Sequence, residues 1–334
     1  MIFRKIDFHN TDTLVKTEKG YTMQRVPDSV RLKLNEGARD QVSFNCTGVE
    51  LRFKVKSEEA VLTLRAEESS EALTAYIYYG SFQGGWQHSS KTVGTEDTRI
   101  SVPRPQDVKL LESLTEECGL PFQPEVVRVI LPYGKCFFVD IEGEVEPPAP
   151  QDVPEKTYLA YGSSITHGSL ALAAPCSYPF QIARRLGCDY LNLGYAGSAY
   201  LEREMAEYIV SRKDWDFASV EMGINMLYGD FDTAQFECRV RDFVDILSAD
   251  GRPVFATDIF RFNGGREFQK KAEIFRGIVK KYADGRLVFT DGLKLLNDPA
   301  FISQDLIHPS QEGIGRIAEN WSKIMERYLL SHGC

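Results

Sequence analysis

The sequence predicts an antiparallel β-sandwich or jelly roll followed by an α/β domain with a five-stranded parallel sheet. At 334 residues, the chain is more than twice the ~150 residues expected of one domain. Apolar residues recur at every second position in the first part, whereas strand and helix patterns alternate in the last part. Between them lies the proline- and acid-rich stretch GEVEPPAPQDVPEKT (143–157), typical of a connector. We therefore expect a sandwich over 1–145, a linker over 146–156 and the α/β domain over 157–334.

The N-terminal region has the alternation of half-buried strands. Its clearest run is 49–56, in which Val, Leu, Phe and Val alternate with Glu, Arg and two Lys. Further runs occupy 29–34, 60–66, 73–79, 98–102, 125–131 and 135–141, and a short helix is predicted over 105–118. Many short strands without intervening helices are typical of a sandwich or jelly roll.

The C-terminal region alternates strands with helices. The predicted strands are 157–162, 188–195, 217–223, 253–260 and 286–292, and the predicted helices are 176–186, 200–211, 232–249, 265–283 and 311–330. Five such units imply a parallel sheet with helices on both faces. Functional groups in these sheets lie at the carboxyl ends of the strands, so the loops after the strands are where catalytic residues are expected.

Composition excludes several functional classes. The net charge is -9, from 39 Lys and Arg against 48 Asp and Glu, and no basic run is present, which argues against nucleic acid as a partner. No apolar stretch reaches the ~18 residues of a membrane span. The N-terminus MIFRKIDFHNTD lacks a secretory signal, so a cytoplasmic protein is expected. The seven cysteines form no C-x-x-C pair and indicate reduced, mostly buried thiols; neither metal nor organic cofactor is expected.

The first parallel strand leads into the segment Gly162-Ser163-Ser164-Ile165-Thr166-His167-Gly168. A serine at a strand-to-helix turn can present its hydroxyl to a cleft, and Ser164 has the position of a nucleophile. The alternative is that these hydroxyl residues only cap the following helix.

A second segment, Gln304 to Ser310, precedes the last helix. A serine hydroxyl needs a general base, and histidine is suited to that role near neutral pH. Of the five histidines, His308 is the one with a carboxylate three residues earlier, Asp305, which could hold one ring nitrogen while the other faces Ser164. The alternative is an ordinary turn with Ser310 as the helix N-cap.

Two further strand ends carry possible oxyanion donors. The Gly197 backbone N–H follows the second strand, and the Asn225 side-chain amide follows the third. Such donors stabilise a transition state by about 2.7 to 4 kcal/mol each. Alternatively, Gly197 forms a tight turn and Asn225 an Asx-turn or cap.

Taken together, the blocks GSSIT, NLGYAG, GIN and DLIHP in residues 155–334 resemble those of the SGNH (GDSL-type) hydrolases. The resemblance implies a three-layer α/β/α, flavodoxin-like fold. It implies Ser164 as nucleophile, His308 as base, Asp305 as orienting acid, and an oxyanion hole formed by the Ser164 amide, Gly197 and Asn225. Ser163 stands where the family often has Asp, and the Asp that often follows Asn225 is absent.

The predicted two-part layout is similar to that of two-domain carbohydrate acetyl-esterases and related acyltransferases. The resemblance implies a serine esterase acting on small acyl esters, with acetyl as the expected group, of a carbohydrate or similar polyol. Alternatives are an acyltransferase that uses the same acyl-enzyme and an inactive carbohydrate-binding protein. Trp86, in a glycine-rich loop, either stacks on a sugar, overhangs the active site or packs at the sandwich edge. His167 is expected to face solvent, the alternative being a contact with the substrate or leaving group.

Overall fold

The computed structural model describes residues 1–68 and 73–333. Its N-terminal part is built from antiparallel strands. These are β1 (Ile2–Phe3), β2 (Ile6–His9), β3 (Thr13–Thr17), β4 (Gly20–Gln24), β5 (Glu50–Val55), β6 (Glu59–Ala66), β7 (Leu73–Tyr79), β8 (Phe82–Gln83), β9 (Ser90–Val93), β10 (Thr98–Pro103), β11 (Val126–Ile130), β12 (Cys136–Glu142) and β13 (Val145–Glu146).

The antiparallel strands form two sheets that enclose one core. The first has the order β1-β2-β5-β11-β7-β8, with β13 added to β5 and β9 added to β7. The second has the order β10-β6-β12-β4-β3. Inward-facing residues of both sheets, such as Leu51 and Phe53 of β5 and Leu62 and Leu64 of β6, belong to the same buried cluster. The predicted β-sandwich is confirmed.

Among the described residues, three helices interrupt the sandwich: α1 (Asp28–Arg31), α2 (Glu36–Asp40) and α3 (Val108–Cys118). The predicted helix over 105–118 is thus confirmed as α3. The strand predicted over 29–34 is wrong, because this stretch forms α1 and the turn after it. Pro27 precedes α1 in extended conformation and Asn35 caps α2 by accepting a hydrogen bond from Ala38 N.

The C-terminal part contains the five predicted parallel strands: β14 (Thr157–Gly162), β15 (Asp189–Gly194), β16 (Phe217–Glu221), β17 (Val254–Thr257) and β18 (Val288–Thr290). Their spatial order is β15-β14-β16-β17-β18, so β15 is an edge strand. Its helices are α4 (Ser164–His167), α5 (Tyr178–Leu186), α6 (Arg203–Ser211), α7 (Ile224–Tyr228), α8 (Thr233–Ser248), α9 (Arg266–Ala283), α10 (Gly292–Leu295) and α11 (Gln311–His332). Short 3-10 turns lie at Val42–Phe44, Pro150–Asp152, Ala174–Cys176 and Pro299–Phe301.

The parallel sheet is covered by helices on both faces, because successive side chains of a strand point to opposite sides. Leu159 and Tyr161 of β14 pack in the cluster that includes residues of α6, α8 and α9. Tyr158 and Ala160 pack in the cluster that includes residues of α5 and α11. This three-layer α/β/α arrangement confirms the predicted fold class.

The cysteines are free thiols within the described residues, and Cys334 lies outside them. Cys46, Cys136 and Cys188 are buried, whereas Cys118 and Cys238 are exposed.

Across residues 1–68 and 73–333, none of the helices combines the length and the apolar character that crossing a membrane requires.

A buried ion-pair network connects the sandwich to the parallel sheet. Arg52 of β5 makes a bidentate contact with Asp189 at the start of β15, at 2.6 and 2.7 Å, and a 2.8 Å contact with Glu50. Arg128 of β11 also contacts Glu50, at 2.6 and 2.8 Å. Burial alone would raise the pKa of Glu50, but the two guanidinium groups outweigh it and lower the pKa to about 2.

Replacing Arg52 by Met should lower the free energy of unfolding by about 3–5 kcal/mol, because Asp189 would remain as an undercompensated buried charge. Urea denaturation at neutral pH measures the change. Arg203→Met removes an exposed pair with Glu207 and should cost no more than about 1 kcal/mol. Similar small losses in both variants would contradict a structural role for the network.

Candidate active site

The predicted nucleophile lies at the carboxyl end of β14. Ser163 caps α4 by accepting a hydrogen bond from Ile165 N at 3.2 Å, and Ser164 is the first residue of that helix. Ser163 therefore caps the helix, and the hydroxyl group of Ser164 is left to face the cleft. Gly162 must lack a side chain here, since a Cβ would lie 2.2 Å from Thr166 Oγ1 and 2.7 Å from Glu221 Oε2.

His308 meets Ser164 across this edge of the sheet. The Ser164 Oγ to His308 Nε2 distance is 2.7 Å, and His308 Nδ1 lies 2.6 Å from Asp305 Oδ2. Because an ionised carboxylate only accepts hydrogen bonds, Nδ1–H donates to Asp305, and Nε2 is left to accept the Ser164 proton. The structure thus brings together the three residues predicted as a triad.

Asp305 is held as a carboxylate by its turn. Oδ1 accepts hydrogen bonds from Ser303 Oγ at 2.6 Å and from the backbone N–H groups of Ile307 and His308 at 2.9 Å each. Burial acts to raise the pKa of Asp305, but these hydrogen bonds outweigh it and hold the pKa below the ordinary value. Leu306 adopts a left-handed conformation with φ of 67°, a strained geometry often found at functional sites.

The two predicted oxyanion donors line the same cleft as Ser164 and His308, a cavity of about 410 Å³. Gly197 is exposed in a turn with φ of 66°. Asn225 lies in α7, and its Oδ1 accepts a 3.0 Å hydrogen bond from Ala199 N. This bond fixes the orientation of the amide, and since Oδ1 is engaged, the NH₂ group is the donor that Asn225 can offer in the cleft it lines.

Glu221, at the end of β16, is a residue of the site that the sequence interpretation missed. Its buried carboxylate accepts a 2.7 Å hydrogen bond from Ser163 N, and burial raises its pKa. Oε1 has no hydrogen-bond partner within the described residues. An acidic residue ending an otherwise uncharged strand, FASVE, was the available signal.

His167 is not solvent-facing, and that expectation is wrong. The side chain is fully buried, with Nδ1 at 2.9 Å from Gly194 O and the ring 4.2 Å from that of Tyr133. Burial, assisted by the nearby Arg25 cation, lowers the pKa of His167 to about 3. The residue is therefore a neutral core histidine that donates to the end of β15.

Trp86 lies apart from the cleft, and the expectation that it packs at the sandwich edge is wrong. Its side chain is fully exposed beside a separate cavity lined by residues such as Tyr79, His88 and Arg104.

The described parts of the chain contain no cluster of three or more His, Cys, Asp or Glu residues that could bind a metal ion.

A Ser-His-Asp cluster at the carboxyl edge of a three-layer parallel sheet is the arrangement of an SGNH-type hydrolase domain. In agreement, residues 160–314 match the model of the GDSL-like lipase/acylhydrolase family. The match extends from within β14 to the start of α11 and so includes all five parallel strands. A search of curated protein sequences gave no match.

Solved structures share the fold over nearly the whole chain. The salicylyl-acyltransferase SsfX3 of a tetracycline biosynthetic pathway is 15% identical, with a TM-score of 0.72 and coverage of 98% of this chain and 95% of that one. A protein assigned as a GDSL-like lipase from Bacteroides ovatus is 17% identical (TM-score 0.69; coverage 97% and 98%). The acetyl xylan esterase Est2A from Butyrivibrio proteoclasticus is 13% identical (TM-score 0.59; coverage 98% and 97%). The fold is thus shared by esterases and an acyltransferase.

The low pKa of His167 has a measurable consequence. A histidine in the unfolded chain titrates near ~6.5, so between that pH and about 3 the unfolded state binds one more proton than the folded state. The contribution of His167 to the free energy of unfolding therefore decreases as the pH falls. In His167→Asn, whose amide nitrogen can replace Nδ1, the loss between pH 7 and 5 should be smaller than in wild type by about 2 kcal/mol.

Urea denaturation of both proteins at the two pH values measures this difference. The comparison removes the effect of Asp258, whose pKa burial raises to about 7 and which acts in the opposite direction in both proteins. Equal losses in the two proteins would show that His167 is protonated in the folded state.

Proposed function

We propose that the protein is a serine esterase that hydrolyses small acyl esters, with acetyl as the principal acyl group, of a carbohydrate or similar polyol. The observation that supports this most directly is the 2.7 Å contact between Ser164 Oγ and His308 Nε2 within an open cleft. In the first step Ser164 Oγ attacks the ester carbonyl carbon while His308 accepts its proton. Asp305 holds the imidazole in the required tautomer and stabilises the imidazolium.

The negative charge that develops on the carbonyl oxygen is stabilised by the Ser164 amide, the Gly197 amide and the Asn225 side chain. The imidazolium then gives its proton to the departing alcohol oxygen, which leaves an acyl group on Ser164. A water molecule, deprotonated by His308, attacks this acyl-enzyme and releases the acid. No further cofactor enters the cycle.

The lining of the cleft favours an uncharged ester. Within the described residues, the cleft is lined by Ser164, Ser169, Ala196, Gly197, Tyr200, Ile224, Asn225, Tyr228, Gly229, Ile307 and His308. None of these is a Lys, Arg, Asp or Glu, so an anionic or cationic substrate group would find no fixed countercharge here. The rings of Tyr200 and Tyr228, backed by Phe231 and Phe268, offer aromatic surface on which a sugar ring could stack.

Ser164→Ala should reduce kcat on p-nitrophenyl acetate by about 10⁴- to 10⁶-fold, because the nucleophile is removed. Steady-state hydrolysis measures this, and a fluorophosphonate probe should label the wild-type serine but not the variant. Ser113→Ala, on the exposed face of α3, provides the matched serine control with unchanged turnover. Wild-type turnover in a folded Ser164→Ala protein would refute the proposal. Binding of sugars without any labelling would instead favour an inactive carbohydrate-binding protein.

Transfer of the acyl group to an alcohol shares the first half of this mechanism, and the matched acyltransferase structure makes it the second candidate function. If water is the acceptor, p-nitrophenyl acetate should release p-nitrophenol and acetate in equal amounts, with and without added xylo-oligosaccharide. Chromatographic quantification of both products measures the ratio. An acetate deficit matched by newly acetylated sugar would identify an acyltransferase.

A further inference from the structure

The outer edge of β15 is covered by side chains from the N-terminal part of the chain rather than by another strand. Within residues 1–68 and 73–333, β15 pairs with β14 and with no other strand, so every second carbonyl of β15 faces away from the sheet. His9 Nε2 lies 2.6 Å from Tyr190 O, and Asn10 Nδ2 lies 3.1 Å from Asn192 O. Such carbonyls, if buried without partners, would cost free energy.

Arg25 binds the carboxyl end of this edge. Its guanidinium donates to Asn192 O at 2.8 Å, to Gly194 O at 3.1 Å and to Val42 O at 2.7 Å. It is fully buried and lies 5.0 Å from the ring centre of Tyr195. Within the described residues it forms no ion pair with a carboxylate, so three carbonyl groups and an aromatic ring are its stabilising partners.

Burying a cation without a countercharge is unfavourable, and burial accordingly lowers the pKa of Arg25. The planar guanidinium is suited to bridging two carbonyl groups of one strand, which a single ammonium group does less well. Gly194 O is held from both sides, by Arg25 and by Nδ1 of His167. The last residue of β15 is therefore fixed relative to both the N-terminal region and the nucleophile helix.

Asn35 holds the chain just beyond Gly197. Its Nδ2 donates to Ser198 O at 2.8 Å and to Glu202 Oε1 at 2.6 Å. At Gly37 a Cβ would lie 2.5 Å from Ser198 Oγ, so α2 approaches this loop closely. The turn 195–198 is consequently held at its start through Arg25 and at its end through Asn35.

We infer that Arg25 and Asn35, which precede the α/β domain, are positioning residues for the oxyanion hole: they fix the direction of the Gly197 N–H. This inference rests on the proposed esterase function. It assigns the N-terminal region a part in catalysis that does not depend on binding a carbohydrate.

The test uses full-length Arg25→Lys and Asn35→Ser with p-nitrophenyl acetate. Lysine keeps the charge but cannot bridge the carbonyl groups as a guanidinium does. Serine retains an N-cap oxygen for α2 but lacks the amide NH₂ group that donates to Ser198 O. We expect kcat to fall by about 10- to 100-fold, since small displacements of a catalytic group have effects of this size, with KM changed by less than about twofold. Affinity for a boronic acid, whose Ser164 adduct is tetrahedral, should fall in parallel with kcat.

Arg39→Ala, an exposed residue of α2 paired with Asp40, is the matched control and should retain wild-type kcat and boronate affinity. Urea denaturation checks that each variant is folded, and Asn35→Ser keeps the test informative if Arg25→Lys does not fold. Unchanged kcat and boronate affinity in folded Asn35→Ser would overturn the inference. An inactive wild-type protein, or an active Ser164→Ala protein, would instead overturn the proposed function.

Discussion

The hydrogen-bonding requirement of an exposed sheet edge determines how the two parts of this protein fit together. Strand β15 lies at the edge of the parallel sheet, and its outward carbonyl groups need donors that no strand in the described part of the chain supplies. His9, Asn10 and Arg25 provide them, while Arg52 neutralises Asp189 at the start of the strand. The contact between the N-terminal part and the α/β domain therefore combines directional polar bonds with buried apolar packing, such as that of Tyr78 and Val26. The polar part continues to the loop that carries Gly197.

Two buried polar side chains near this edge hold the segment that carries Ser164. His167, the last residue of the nucleophile helix, is buried and neutral and donates to Gly194 O, while Glu221 accepts from Ser163 N just before the start of that helix. Hydrogen bonds of these two side chains thus fix the backbone on either side of Ser164. Pre-organisation of this kind lowers the cost of aligning the reacting groups.

Much of the fold could be predicted from the sequence, because hydrophobic periodicity locates strands and helices. Strand β14 and helix α9 end within one residue of their predicted limits. The stretch 29–34 was misassigned because six residues do not separate a two-residue from a 3.6-residue period. The triad residues could be predicted from scarce histidines and strand ends. Arg25 and Asn35 could not, because their contacts depend on how the N-terminal region packs, which no local pattern records.

The covered edge of β15 limits how the gene for such a protein can be rearranged. A fragment beginning at β14 would lack the side chains that cover the outer edge of β15, and this uncovered edge could pair with the same edge of another copy. Chimeras that replace the sandwich with an unrelated module would meet the same difficulty. Recombination is better tolerated where the residues that cover this edge, from His9 to Arg52, stay with the α/β domain.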